Sequence, residues 1–150
     1  MPKKPQKVRR RRAPNVEFVS TRTRLEKLGV RKGTDVLVLG IEHDELFMQE
    51  LRAAGAAVRT SGARAADMIF ATFRHRDDLR RLAGLVPRLQ KEGVLWTLRP
   101  KGSKDLTEAE MMQAGKAAGL VDVKVVSFSD ELTAEKFVIP LAKRAAHRPG

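Results

Sequence analysis

Apolar residues fall in short blocks along most of this chain, and the blocks alternate between two spacings. Asp35–Gly40 reads Asp-Val-Leu-Val-Leu-Gly, a continuous apolar run of strand length entering a glycine turn. Glu45–Ala54 changes to helical spacing at Leu46, Phe47, Glu50 and Leu51, and Gly55 ends it. Ala57–Thr60 is a short strand, Ser61–Ala65 a loop, and Asp67–Phe73 a second continuous run suited to a sheet covered on both faces. Asp77–Lys91 is helical and bent before Pro87, which lacks a backbone donor. Gly93 opens the strand Val94–Leu98, which stops at Pro100. Thr107 and Glu110 have the spacing of a capping box, so a helix runs from there to about Ala118, before Gly119. Val121–Phe128 and Glu135–Ile139 are the last strands, and the short Ser129–Thr133 link makes them an antiparallel pair. Ahead of all this, Thr21–Leu28 is a short helix closed by Gly29, and Arg31–Thr34 is a turn. Alternation of this kind predicts a three-layer, Rossmann-like α/β domain. Its sheet is mostly parallel, with an antiparallel C-terminal hairpin strand.

The first fifteen residues break the pattern. They hold three prolines, a dense basic block and little that could be buried, so they are expected to be a disordered arm. This gives an arm over residues 1–15, a domain over 16–143 and a flexible tail over 144–150. The net charge is +12, and Lys3, Lys4, Lys7, Arg9, Arg10, Arg11 and Arg12 supply seven positive charges before any acid appears. Such an arm fits a nucleic acid or another polyanion. If every charge met a duplex phosphate, the log-log salt slope would be roughly −6. No lipidation or amphipathic signal accompanies the block, which argues against a membrane. The chain has no cysteine, which excludes disulfides and thiolate metal sites, and no apolar run of membrane length. The expected location is the cytoplasm.

VLVLG after a Lys-Gly turn, then ADMIF, then QKEGVLW, resemble a class I methyltransferase domain over about Leu25–Ile139. RPKGSKD before a helix, with AGLVDVKV and EKFVIP after it, is similar more narrowly to a family of small bacterial domains that brings no activity with it. The broader resemblance implies a cleft for S-adenosylmethionine above Gly40. The family's first loop has further glycines where this chain has Glu42 and Asp44, and an acid ends its second strand where this chain has Arg59-Thr60-Ser61. The link from there to ADMIF is also short by one strand–helix unit. The expectation is therefore a kept fold with no cofactor and no catalytic residue. It describes a non-catalytic binding module, with a divergent S-adenosylmethionine-dependent methyltransferase as the alternative.

In open α/β sheets ligands bind beyond the carboxyl ends of the strands. That directs attention to Gly40, Glu42, His43 and Asp44, to Arg74, His75 and Arg76, and to the Arg99–Asp105 loop. Glu42 and Asp44 are expected to pair with Arg74 and Arg76 and so close the cleft. The alternative use is a polar pocket with His43 or His75 as proton carrier. No metal site is expected, since no strong ligand spacing joins these residues. Arg99, Lys101, Ser103 and Lys104, with Gly102 allowing close backbone approach, are candidates for an anion site that Arg74 and Arg76 could join. Trp96, Met111 and Met112 read as core. An exposed apolar edge at Phe137–Ile139 would instead point to self-assembly.

Overall fold

The computed structural model describes residues 23–150; the basic arm and the residues up to 22 lie outside the described part. Six strands form one sheet: β1 (Asp35–Leu39), β2 (Ala57–Arg59), β3 (Ala66–Thr72), β4 (Leu89–Pro100), β5 (Val121–Ser127) and β6 (Leu132–Val138). Their order across the sheet is β2-β1-β3-β4-β6-β5. Neighbours from β2 to β4 run parallel, and β6 is antiparallel to both β4 and β5. The mostly parallel sheet with an antiparallel end is the one the alternating pattern predicts.

Two apolar clusters sandwich the sheet. On one face Val36, Val38, Phe70, Trp96 and Leu98 meet Leu25 and Leu28 of α1 (Arg24–Leu28) and Phe47 and Leu51 of α2 (Glu45–Ala53). On the other, Leu37, Ile69, Leu95 and Phe137 meet Leu82 and Leu85 of α3 (Leu82–Leu85) and Met111 of α4 (Glu108–Ala117). Trp96 is fully buried, and its indole N–H donates to Leu28 O at 3.1 Å. Each helix starts on a side-chain cap where the sequence offers one: Thr23 with Glu26, Asp44 with the Phe47 amide, Thr107 with Glu110.

Two stretches differ from the sequence reading. The helix expected over Asp77–Lys91 is three short pieces, with 3-10 turns at Arg76–Arg81 and Val86–Arg88 flanking α3. Pro87 is the reason, since it withholds a donor and the chain turns extended at Leu89. Strand β4 therefore starts earlier than Val94. Leu89 pairs with Ala66, and the register then slips so that Val94 pairs with Met68. The C-terminal stretch 144–150, expected as a free tail, packs back on the domain. Arg144 Nε donates to Ile139 O at 2.9 Å, a ring nitrogen of His147 lies 2.7 Å from Leu89 O, and the Gly150 amide donates to Pro87 O.

Phe137 and Ile139 are buried, so the apolar edge considered for self-assembly is absent there. The edge strand on that side is β5, which exposes Val121, Val123 and Val125 and slips register between Asp122 and Lys124. No helix among the described residues is long and apolar enough to cross a membrane.

Gly40 ends β1 with φ of +102°, and a Cβ there would drive into the Thr72 hydroxyl and stand 3.1 Å from Thr72 Cβ. Any side chain at this position meets both a strained backbone and a neighbour on β3. Gly40→Ala is expected to lower stability by about 2 kcal/mol or more. Urea denaturation checks this: the midpoint falls with little change in slope, and Thr72→Ala in the same chain restores part of the loss. An unmoved midpoint would contradict the close approach.

Candidate functional site

The carboxyl ends of β1, β3 and β4 gather most of the residues singled out from the sequence at one end of the sheet. Asp44 is the N-cap of α2 and accepts from the Phe47 amide at 3.0 Å. Glu42 is exposed, and its carboxylate accepts from the Gly40 amide at 2.8 Å. Both acids are thus spent within their own turn. On the facing side, Arg76 pairs with Glu110 of α4 and donates to Lys104 O at 3.0 Å. Arg74 is exposed, and its backbone amide is held by Asp78 at 2.8 Å. The expected closure of the cleft by Glu42 or Asp44 against Arg74 or Arg76 does not occur. Local capping competes better than a cross-cleft pair, because it needs no long side chain to be ordered.

The charges follow from these contacts. Arg76 and the Thr107 amide together hold the Glu110 carboxyl down at about 2. The backbone amides of Arg74 and His75 hold Asp78 below the usual carboxylate range, with Arg81 and His75 adding to the pull. His75 lies 3.9 Å from Asp105, a loose contact between two exposed side chains. His43 is exposed, and no cluster of three metal-ligating side chains forms among the described residues.

The Arg99–Asp105 loop is built differently from an anion cradle. Arg99 is buried, with Nε 2.8 Å and a terminal nitrogen 2.7 Å from Glu135, which is fully buried. Thr97 adds a hydroxyl to the same carboxylate at 3.0 Å. Burial pushes the Glu135 carboxyl up, opposed by Arg99 and Thr97. Lys101 donates to Ser127 Oγ at 2.7 Å, and Ser103 Oγ accepts from the Asp105 amide at 3.1 Å. Of the six anion candidates, Arg74, Arg76, Lys101 and Lys104 are exposed, and Arg76 and Lys101 are engaged with Glu110 and Ser127. The sequence did carry a signal for the buried pair: Glu135 lies in an apolar strand, and a buried carboxylate needs a cation on a neighbouring strand.

A second group of arginines was missed. Arg59, at the end of β2, pairs with Asp35 at 3.2 Å and donates to Arg64 O at 2.6 Å and Ala65 O at 3.3 Å. Arg88 donates to Gly62 O. These side chains hold down the short loop between β2 and β3. The legible signal was the loop's brevity, since carbonyls folded against a sheet need donors.

No protein-family model matches the sequence, and neither does any curated protein. Solved structures do. The ribosomal protein L11 methylase from Lactobacillus delbrueckii subsp. bulgaricus is similar with a TM-score of 0.55 and 13% identity, covering 78% of this chain and 75% of that one. A TehB-like SAM-dependent methyltransferase from Corynebacterium glutamicum is similar with a TM-score of 0.51 and 12% identity, covering 78% and 86%. LepI in complex with SAH and a substrate analogue is similar with a TM-score of 0.54 and 15% identity, covering 85% of this chain and 49% of that one. The fold is methyltransferase-like. These likenesses also correct the expectation of no cofactor, because the structures that share this fold include a SAM-dependent methyltransferase and a protein that holds SAH.

Two outcomes are expected from the ion pairs. Arg99→Ala should cost about 3–5 kcal/mol by leaving Glu135 buried without its cation, and Arg99→Met with Glu135→Leu should recover most of it; denaturant unfolding reads both. A loss under 1 kcal/mol for Arg99→Ala would mean that the pair is solvated. The carboxyl of Glu110 should titrate near 2 by NMR, and Arg76→Gln should return it part of the way to the usual range. Because its folded value is depressed, the stability it contributes is present above the ordinary carboxylate range and lost as pH falls through about 2.

Proposed function

We propose that this chain is a divergent S-adenosylmethionine-dependent methyltransferase of the cytoplasm. Residues 16–143 would be the folded domain and residues 1–15 a basic arm that meets nucleic acid or another polyanion. The observation that supports this most is the unbridged cleft: its acids are turned into α2 and the Gly40 turn, and Arg76 is turned to α4.

The residues present suit one end of the cofactor. The Gly40 amide already donates to a carboxylate, that of Glu42, and the cofactor's amino-acid end carries the same group. Glu42 is exposed, and turning its side chain into solvent would release the Gly40 amide. Thr60 and Ser61, exposed after β2, are the hydroxyls nearest the position where the resembling family has an acid. When bound, the cofactor supplies an electrophilic methyl group. This chain's share would be to orient it, with the Gly40 N–H holding the carboxylate and Thr60 and Ser61 holding the sugar hydroxyls.

Calorimetric titration of the full chain with S-adenosylmethionine tests the reading. Micromolar binding is expected, and Glu42→Gly should tighten it about tenfold by removing a charge-assisted contact to the same amide. No heat from either protein would sink the proposal.

A further inference from the structure

Arginines cluster beside α3 on one face of the sheet. A groove of about 380 Å³ lies beside the end of β1, lined by Leu39, Arg80, Arg81, Gly84, Leu85 and Arg88. No carboxylate is among these lining residues. The acids nearby are engaged: Asp35 holds Arg59 and Arg64, and Asp78 holds the Arg74 and His75 amides. Asp77 is exposed on the same 3-10 turn as Arg80 and is the one acid there facing water.

Each arginine has a donor to spare. Arg80 is exposed. Arg81 gives one terminal nitrogen to Thr72 O at 2.7 Å and stacks over Phe73, with its guanidinium carbon 5.1 Å from the ring centre. Both contacts fix the fork in place. Arg88 gives one terminal nitrogen to Gly62 O, and its Nε is buried with no hydrogen-bond partner among the described residues. A buried guanidinium N–H left unmatched is costly, and a ligand oxygen would satisfy it. The apolar floor of Leu39 and Leu85 lowers the local dielectric, which strengthens the attraction for an anion. Gly84 adds no side chain, and the space where its Cβ would point is open.

We infer that this groove binds the phosphodiester backbone of a nucleic acid through Arg80, Arg81 and Arg88. Guanidinium forks suit phosphate oxygens. A groove is the wrong shape for a membrane surface. Phosphates in series let one ligand engage the groove and the basic arm together, so that the second contact becomes intramolecular. The inference is independent of the cofactor reading.

The test uses the full chain and a fluorescein-labelled DNA oligonucleotide, single-stranded and duplex, with affinity followed against salt. Arg80→Gln is the first variant, since it holds no backbone carbonyl. It should lower the log-log salt slope by about 0.9 for duplex DNA. In parallel, the arginine Nε–H resonances of Arg80, Arg81 and Arg88 should shift as DNA is added, and should still shift when Arg9, Arg10, Arg11 and Arg12 are changed to Gln. An unaltered slope with Arg80→Gln, together with an unmoved Arg88 Nε–H at saturation, would place all binding in the arm and overturn the inference. Tripolyphosphate binding as tightly as DNA would also overturn it, by showing a site for a free anion instead of a strand.

Discussion

The buried link between Arg99 and Glu135 is the constraint on which this end of the domain rests. A carboxylate with no exposure to water is tolerable only if its cation and hydrogen-bond donors come with it. The sheet supplies both from one neighbour: Thr97 lies directly opposite Glu135 across the β4–β6 pair, and Arg99 is two residues along on the same face. The pair thereby fixes the register of the antiparallel strand against the parallel part of the sheet. It also holds the loop after β4, since Arg99 lies 3.7 Å from Glu108 at the start of α4. The position of α4 in turn sets Glu110, and Glu110 draws Arg76 away from the cleft.

The same economy explains the opposite edge. The loop from β2 to β3 is short, and its carbonyls need donors from outside it. Arg59 and Arg88 satisfy them from two directions. A long planar side chain with several donors can do this where a lysine could not. Arginine here acts as scaffold, and the spare donors that face the groove follow from that duty.

Much of the fold was legible because it rests on periodicity. The continuous runs at Val36–Leu39 and Asp67–Phe73 could be satisfied only by a sheet covered on both faces, and that is where they lie. What stayed hidden was side-chain allegiance. Glu42, Asp44, Arg74 and Arg76 stand in the right order for pairing across a cleft, yet backbone amides two to four residues away claimed three of the nearby acids first. Arg99 read as a loop cation because it precedes Pro100, whereas β4 continues through Pro100 and carries it into the core. The structure of α3 escaped for a related reason, since apolar spacing across Asp77–Lys91 is helical but Pro87 and the pull of Ala66 on Leu89 stop the helix early.

The short connection between β2 and β3 also bears on how the chain assembles. Val36 of β1 meets Met68 of β3, so the central parallel pair closes over a span of 32 residues, including β2 and α2. A further strand–helix unit would roughly double that span and raise the closure cost by only about 0.6 kcal/mol. Equilibrium stability would therefore be almost indifferent to such an insertion. Folding speed is not, because parallel pairing must wait for its ends to find each other, and a shorter wait lowers contact order at the centre of the sheet. The short connection makes this domain a faster closer of its core strands without making it a firmer one.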